Sequence, residues 1–272
     1  MKTSNSVHQS YLEDGFYIQP EPIIPQDTVD AAIIGMDELR AGRYDTGTPP
    51  QPSHWNPGDD PNTKLGKIEM PQIANHAIMS LVKTPALGEW AAKVTGAEAV
   101  QIWWVQLLYK PTAQANSTIA PGIGWHQDRH YWQIWEEGSE LFTAWVALSD
   151  VTANAGPMSF VRGSHRWGYV EGQSDFHDEA DQATLQAQIQ GTTGGSWEEV
   201  AAILPPGAAS FHHNLTYHGS VANTSGAPRR SFAVHMRTEK SRPADGVREG
   251  LTRFIDNFDY CPVIYGDAGL LR

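Results

Sequence analysis

The sequence predicts a mainly β protein, an antiparallel sandwich or barrel with a helical N-terminal layer, and three observations carry that prediction. From residue 97 onward, apolar runs shorten to strand length and fill with β-branched and aromatic residues, as in AVQIWWVQLLYK, LFTAWVALSDV and RRSFAVHMR. Turn clusters such as PGIG, TANAGP, LPPGA and NTSGAP separate these runs. No helices alternate with them, which argues against a parallel sheet.

The elements follow in chain order. PQDTVDAAIIGMDELRAG places Val29, Ile33, Ile34 and Met36 at helical spacing, with Asp27 or Thr28 as candidate caps and Gly42 as a stop. RYDTGTPPQPSHWNPGDDPN is too rich in Pro, Gly and Asp for a helix and reads as a long surface loop or a lid over a site. NHAIMSLVKTPALGEWAAKVTG is a second helical stretch ending at Gly96. In AVQIWWVQLLYK, alternation puts Trp104, Gln106 and Leu108 on one strand face and Trp103 and Tyr109 on the other. MSFV and WEEVAAILPPGAASFHHN supply further strands, and SDFHDEADQATLQAQIQGTTGGS reads as a polar, partly helical insertion between two of them. The expected organisation is a single domain over residues 1–272: a mainly helical layer at 1–96, a β core at 97–240 and a C-terminal extension at 241–272. That extension, RFIDNFDYCPVIYGDAGLLR, has apolar residues enough to close the barrel or to pack on a second copy, so monomer and homodimer both fit.

Composition narrows the partners. A 40% hydrophobic and 18% charged chain is globular rather than disordered. Its formal charge of −12 repels a phosphate backbone, and no basic cluster offsets it, so nucleic acid is excluded as a partner. No apolar run is long enough to span a membrane, and MKTSNSVHQSYLEDGFY lacks the apolar centre of a signal peptide. The single cysteine, Cys261, rules out an internal disulfide and a thiolate metal site, and the expected location is the cytoplasm.

The chemistry concentrates in GIGWHQDRHYW. His126 and Asp128 are two apart, so on extended backbone both side chains reach the same point. One further histidine would complete a two-histidine, one-carboxylate metal site with open positions for O2 chemistry. FHHNLTYHGSVANTSGAPRRSFAVHM offers His212, His213, His218 and His235. His218 precedes a turn, and 11 residues later the next strand brings Arg229 and Arg230. An arginine returned to the metal in this way grips a carboxylate through paired hydrogen bonds, as a dicarboxylate co-substrate requires.

Together, WHQDRHYW, NAGPMSFVRGSHRWG and HGSVANTSGAPRR, with the opening YLEDGFYIQPEPIIPQDTVDAAIIGMDEL, resemble the phytanoyl-CoA dioxygenase (PhyH-like) branch of the Fe(II)/2-oxoglutarate-dependent oxygenases. The resemblance runs from about residue 10 to about residue 240. It implies a double-stranded β-helix, or jelly roll, with His126, Asp128 and His218 as iron ligands and Fe(II), 2-oxoglutarate and O2 as cofactors. It places Arg229 on the far carboxylate of 2-oxoglutarate with Ser220 in support, and leaves Arg230 on the opposite face as a structural or solvated residue. Related halogenases carry a small residue where Asp128 stands, so the carboxylate points to hydroxylation, desaturation or ring closure.

Further residues have a weaker basis. Gln106 is a candidate contact to 2-oxoglutarate or substrate if its strand face lines the barrel. Trp104, His130, Tyr131 and Trp132 are candidate substrate contacts, with core packing as the rival explanation for the aromatics. Gly163, His165 and Gly168 read as a hydrogen-bonded turn, and Arg162 stands where the family commonly has proline. Arg43, Lys64, Lys67 and Arg162 are available for an acidic substrate. The expected activity is oxidation of a small-molecule metabolite with release of succinate and CO2. Its rivals are an isomerase or epimerase on the same barrel and a non-catalytic jelly-roll binding or sensor protein.

Overall fold

Two antiparallel sheets face each other and make a jelly roll. A computed structural model describes residues 4–62, 64–113, 122–170, 182–246 and 248–271. In chain order these form α1 (Ser4–Asp14), β1 (Phe16–Gln19), α2 (Gln26–Arg40), β2 (Gly66–Glu69), α3 (His76–Val82), α4 (Pro85–Thr95), β3 (Val100–Lys110) and β4 (Ile123–His126). There follow β5 (Leu141–Ala147), β6 (Ser159–Val161), α5 (Gln182–Thr193), β7 (Glu199–Ala201), β8 (Ala209–His213), β9 (His218–Ser220), β10 (Arg229–Thr238) and β11 (Val263–Tyr265). The larger sheet runs β1-β8-β5-β10-β3-β11, with β2 also paired to β3, and the smaller runs β4-β9-β6-β7. One edge of β3 is thus shared: β2 pairs with residues 106–109, and β11 with residues 100 and 101.

Alternation along the strands sorts the side chains between two cores. Leu108, Trp145 and Ala233 point from the larger sheet toward Phe160 of the smaller, and Phe16 stacks on Phe160 at 4.9 Å between ring centroids. Val105, Leu107, Val234 and Met236 face outward and are covered by α2, α3 and α4 through Val29, Met36, Ile78 and Leu87. Burying each large apolar side chain of this kind contributes about 1.5–3 kcal/mol. The pairing of β10 with β3 slips at His235/Met236, opposite Trp103. Trp103 accordingly joins a third cluster with Trp132, Trp135, Ile255 and Cys261, and Trp132 meets its ring edge-on at 4.9 Å.

Several expectations change in detail. Asp27 and Thr28 do not cap α2; its N-cap is Pro25, with no side-chain cap bond. The stretch ending at Gly96 is two helices. Asn75 caps α3 by accepting from the Ile78 amide, and the Thr84–Pro85 step starts α4 because proline suits a first helical turn. Gly96 ends α4 in the left-handed conformation, as expected of a stop. The loop at 43–62 is not a lid over the barrel's cavities, none of whose lining residues it supplies. It braces β2 from outside: the Gln51 and Trp55 amides donate to the carbonyls of Glu69 and Lys67. The N-terminal layer contributes strands β1 and β2 as well as helices, and the C-terminal segment contributes β11. The polar insertion is helical over α5, and its residues 174–181 lie outside the described part. Among the described residues no helix is long and apolar enough to cross a membrane.

His213, the last residue of β8, faces away from the barrel interior and packs against Tyr11 and His165. Burial pushes its pKa down to about 3, with His165 and His212 adding to the shift. A base whose pKa falls on folding stays neutral in the fold while the unfolded chain takes a proton, so stability drops as pH falls below 6.5. The expected loss from this residue is about 2 kcal/mol between pH 7 and pH 5. Denaturant unfolding at the two pH values checks it, with His213→Gln expected to lose that part of the pH dependence.

Candidate metal centre

His126 ends β4 and His218 opens β9, and the two are directly paired across the strands. Gly219 permits this approach: a Cβ there would lie 2.9 Å from the carbonyl oxygen of Ile123. The imidazoles sit 4.2 Å apart between ring centroids. Asp128 is not on a strand but opens a 3-10 turn (Asp128–His130). Gln127 between them stays extended, so the two-residue spacing still brings Asp128 to the face of His126. The ligand atoms of His126, Asp128 and His218 lie within 4.8 Å of one another, and all three residues are buried.

The donor set fits a metal ion. His126 Nδ1 donates to the Gly124 carbonyl at 2.7 Å and His218 Nδ1 to the Thr216 carbonyl at 2.9 Å, which leaves each Nε2 lone pair facing the other ligands. Burial lowers the pKa of both imidazoles, which keeps them in the neutral, ligating form. Asp128 Oδ1 lies 3.6 Å from His218 Nε2 and 3.9 Å from His126 Nε2. Burial works against its charge, but the surrounding imidazoles, His218 and His212 first, hold the carboxyl well below its usual range. Two neutral nitrogens and one carboxylate oxygen on one side of a cavity match the facial triad of non-haem Fe(II) sites, which leaves three positions open.

The other oxygen of Asp128 is held from behind. Thr143 Oγ1, on β5, donates to Asp128 Oδ2 at 2.9 Å and lies 2.8 Å from His235 Nδ1 on β10, which donates to it. Burial lowers the pKa of His235 to about 4, so the ring is neutral. His212 Nε2 comes within 3.3 Å of the same carboxylate oxygen without reaching hydrogen-bond geometry. Thr143→Val keeps the volume and removes the donor, and is expected to weaken Fe(II) binding by about 10–100-fold. A chelator competition titration checks this, and unchanged affinity would reduce Thr143 to a space filler. Nothing in LFTAWVA marked Thr143 as functional.

Arg229 and Ser220 line the same cavity as the triad, and Lys110 is buried behind Ser220. Arg229 and Lys110 face each other directly in the β10–β3 register, and both are buried. Lys110 Nζ donates to Ser220 Oγ at 2.7 Å and to the Val221 carbonyl at 2.6 Å. Arg229 Nη1 donates to the Gly156 carbonyl, its guanidinium lies 5.0 Å from the Trp145 ring centre, and its buried Nε has no partner. Among the described residues neither cation has a carboxylate partner. Burial lowers the pKa of Arg229 to about 10 and, with the charge of Arg229 beside it, pushes that of Lys110 well down. Like charges opposite each other in a dry sheet oppose folding, so this end of the cavity is built for an anion. Nothing local in LLYKPTA marks Lys110 as functional.

The remaining candidates separate cleanly. Gln106 lines both this cavity and a second one that shares His126 and Asp128. Trp104, Tyr131 and Trp132 line the second cavity. His130 lines neither and hydrogen-bonds the Tyr169 hydroxyl at 2.9 Å. Arg230 lies on the helical side, 3.6 Å from Asp37 and over Tyr109. Arg162 is taken up by Asp14 and Glu198, and His165 ties its loop to the Leu12 carbonyl. Arg43 and Lys64 pair with Glu38 and Asp59 outside both cavities. Only Lys67, of the cations considered for an acidic substrate, lines the second cavity.

Comparison with known proteins bears on the fold and the family. The L-proline trans-4-hydroxylase of Streptomyces griseoviridis is 28% identical over 205 residues, which is 70% of this chain and 73% of that protein. The carbocyclase SnoK from nogalamycin biosynthesis superposes with a TM-score of 0.70 at 22% identity, covering 97% of this chain and 98% of its own. The epimerase SnoN in complex with Fe3+, alpha ketoglutarate and nogalamycin RO superposes at 0.67 and 20% identity over 88% and 85% of the two chains. The family model for phytanoyl-CoA dioxygenase (PhyH) matches residues 11–231. On that match the chain belongs to the phytanoyl-CoA dioxygenase family, and it is an Fe(II)- and 2-oxoglutarate-dependent dioxygenase.

Proposed function

We propose that the protein hydroxylates an unactivated C–H bond of a small-molecule metabolite, or desaturates or cyclises it from the same hydrogen abstraction, with release of succinate and CO2. It does so as a single-domain cytoplasmic enzyme, monomeric or homodimeric. The observation that carries this reading is a two-histidine, one-carboxylate triad that shares one cavity with the buried guanidinium of Arg229, which has no carboxylate partner among the described residues. With Fe(II), 2-oxoglutarate and O2 bound, the centre supplies the oxidising power of the reaction.

The chain's residues supply placement. His126, Asp128 and His218 hold the ion, and Thr143 fixes the rotation of the Asp128 carboxylate. Arg229 and Ser220 grip the distal carboxylate of 2-oxoglutarate, and Lys110 supports the grip from behind Ser220. Because Lys110 donates to Ser220 Oγ, the hydroxyl proton of Ser220 is left to point at that carboxylate. Trp145, Leu108 and Met158 wall the cavity and keep water from its length. Gln106 stands between co-substrate and substrate, and Trp104, Tyr131 and Trp132 face the substrate. The relative named for proline hydroxylation supports a small substrate of this kind.

The test is anaerobic addition of Fe(II) and 2-oxoglutarate, which gives a visible charge-transfer band, followed by admission of O2 and assay for succinate. No band from folded protein overturns the reading in favour of a binding module. A product isomeric with the substrate, formed without succinate, moves it to the isomerase or epimerase class.

A further inference from the structure

The second cavity, about 450 Å³, opens on His126 and Asp128 and, apart from that triad carboxylate, carries one charge of each sign in its wall, Lys67 and Glu69. They are two apart on β2, so strand alternation turns both inward. The Glu69 carboxylate is firmly set: Trp104 Nε1 donates to Oε2 at 2.6 Å and Gln106 Nε2 to Oε1 at 3.2 Å. Lys67 Nζ lies 3.3 Å from Oε1. β2 is fastened on both sides, by β3 and by the loop through Gln51 and Trp55, so the charges have little freedom to withdraw.

An ion pair in a cavity wall contributes little to stability, whereas its geometry selects a ligand. The pair sums to zero. A ligand of single net charge meets one attractive and one repulsive partner there. A ligand with adjacent opposite charges, oriented antiparallel to the pair, satisfies both, and the aromatic walls of Trp104, Tyr131 and Trp132 receive its apolar part. We infer that the primary substrate is a small zwitterion, an amino or imino acid, with its carboxylate on Lys67 and its ammonium on Glu69. Its side chain or ring lies among the aromatics beside the triad. This rests on the oxygenase reading above.

The experiment uses the full chain with Fe(II) and 2-oxoglutarate under anaerobic conditions and isothermal titration of nine probes. These are L-proline, L-leucine and L-phenylalanine, each with its decarboxylated amine (pyrrolidine, 3-methylbutylamine, phenethylamine) and its deaminated acid (cyclopentanecarboxylate, 4-methylpentanoate, 3-phenylpropanoate). At least one amino acid is expected to bind more than about tenfold tighter than both of its analogues, the scale of one charged hydrogen bond. Lys67→Met is expected to erase its lead over the amine, and Glu69→Gln its lead over the acid. Absence of any such lead, or leads unchanged in both variants, overturns the proposal. The charge-transfer band is recorded in the same samples, so a failure of the oxygenase reading shows as a missing band, and the titrations are read whether or not it forms.

Discussion

Asp128→Ala is expected to abolish turnover and the anaerobic chelate band while leaving a folded protein. The residue supplies the only anionic ligand of the triad. His126 and His218 keep their own bonds to Gly124 and Thr216 when it is removed, so the strands stay paired. The loss of Fe(II) affinity should exceed the ~100-fold that marks the upper end for a residue behind a ligand. Three imidazoles that the carboxylate now faces, His218, His212 and His126, would be left around an uncompensated ion. Chelator competition and succinate release measure the effect. Wild-type affinity in Asp128→Ala would dismiss the triad.

Arg229→Leu is expected to raise the KM for 2-oxoglutarate steeply. Removing one partner of a buried charge contact costs about 2–5 kcal/mol, a factor of roughly 30 to several thousand in affinity. Lys110→Met makes the sharper companion, because its two effects have opposite signs. Affinity for 2-oxoglutarate falls, while the ligand-free protein melts no lower than wild type, since a buried ammonium next to Arg229 has gone. Folding lowers the pKa of Lys110, so its contribution to ligand-free stability improves as pH rises toward 10.5, and Lys110→Met should flatten that slope. Melting curves with and without 2-oxoglutarate test both points. A merely structural lysine would lower the melting temperature and leave the ligand-induced rise intact.

What the sequence made legible is what local spacing encodes. The period-two runs announced the strands, and the H-x-D and H-G-S contexts with an arginine 11 residues on pointed to the three residues that the structure brings together and to Arg229 beside the same cavity. Residues whose role comes from register were invisible. Lys110 matters because β3 pairs with β10 so that it meets Arg229, a relation between positions 119 apart in sequence. Thr143 matters because β5 passes under the turn that carries Asp128. Lys67 is a candidate for an acidic substrate by its charge alone, but its pairing with Glu69 does not show, because both sit on a four-residue strand that follows a Pro- and Gly-rich loop and is too short to give a pattern of its own. That same loop's brace on β2 could not be told from a lid, because composition shows what a segment cannot be and not what it touches.

The shared edge of β3 bears on how the chain folds during synthesis. Gln101 Nε2 donates to the carbonyls of Ile255 and Cys261, so β3, next to the edge of the larger sheet, is completed by a segment far along the chain. Contacts spanning about 150 residues are slow to form, since a long loop must close before they give anything back. A nascent chain emerging from the ribosome therefore carries β3 with an open hydrogen-bonding edge until β11 arrives, and that edge is the place where a partly made molecule would stick to another.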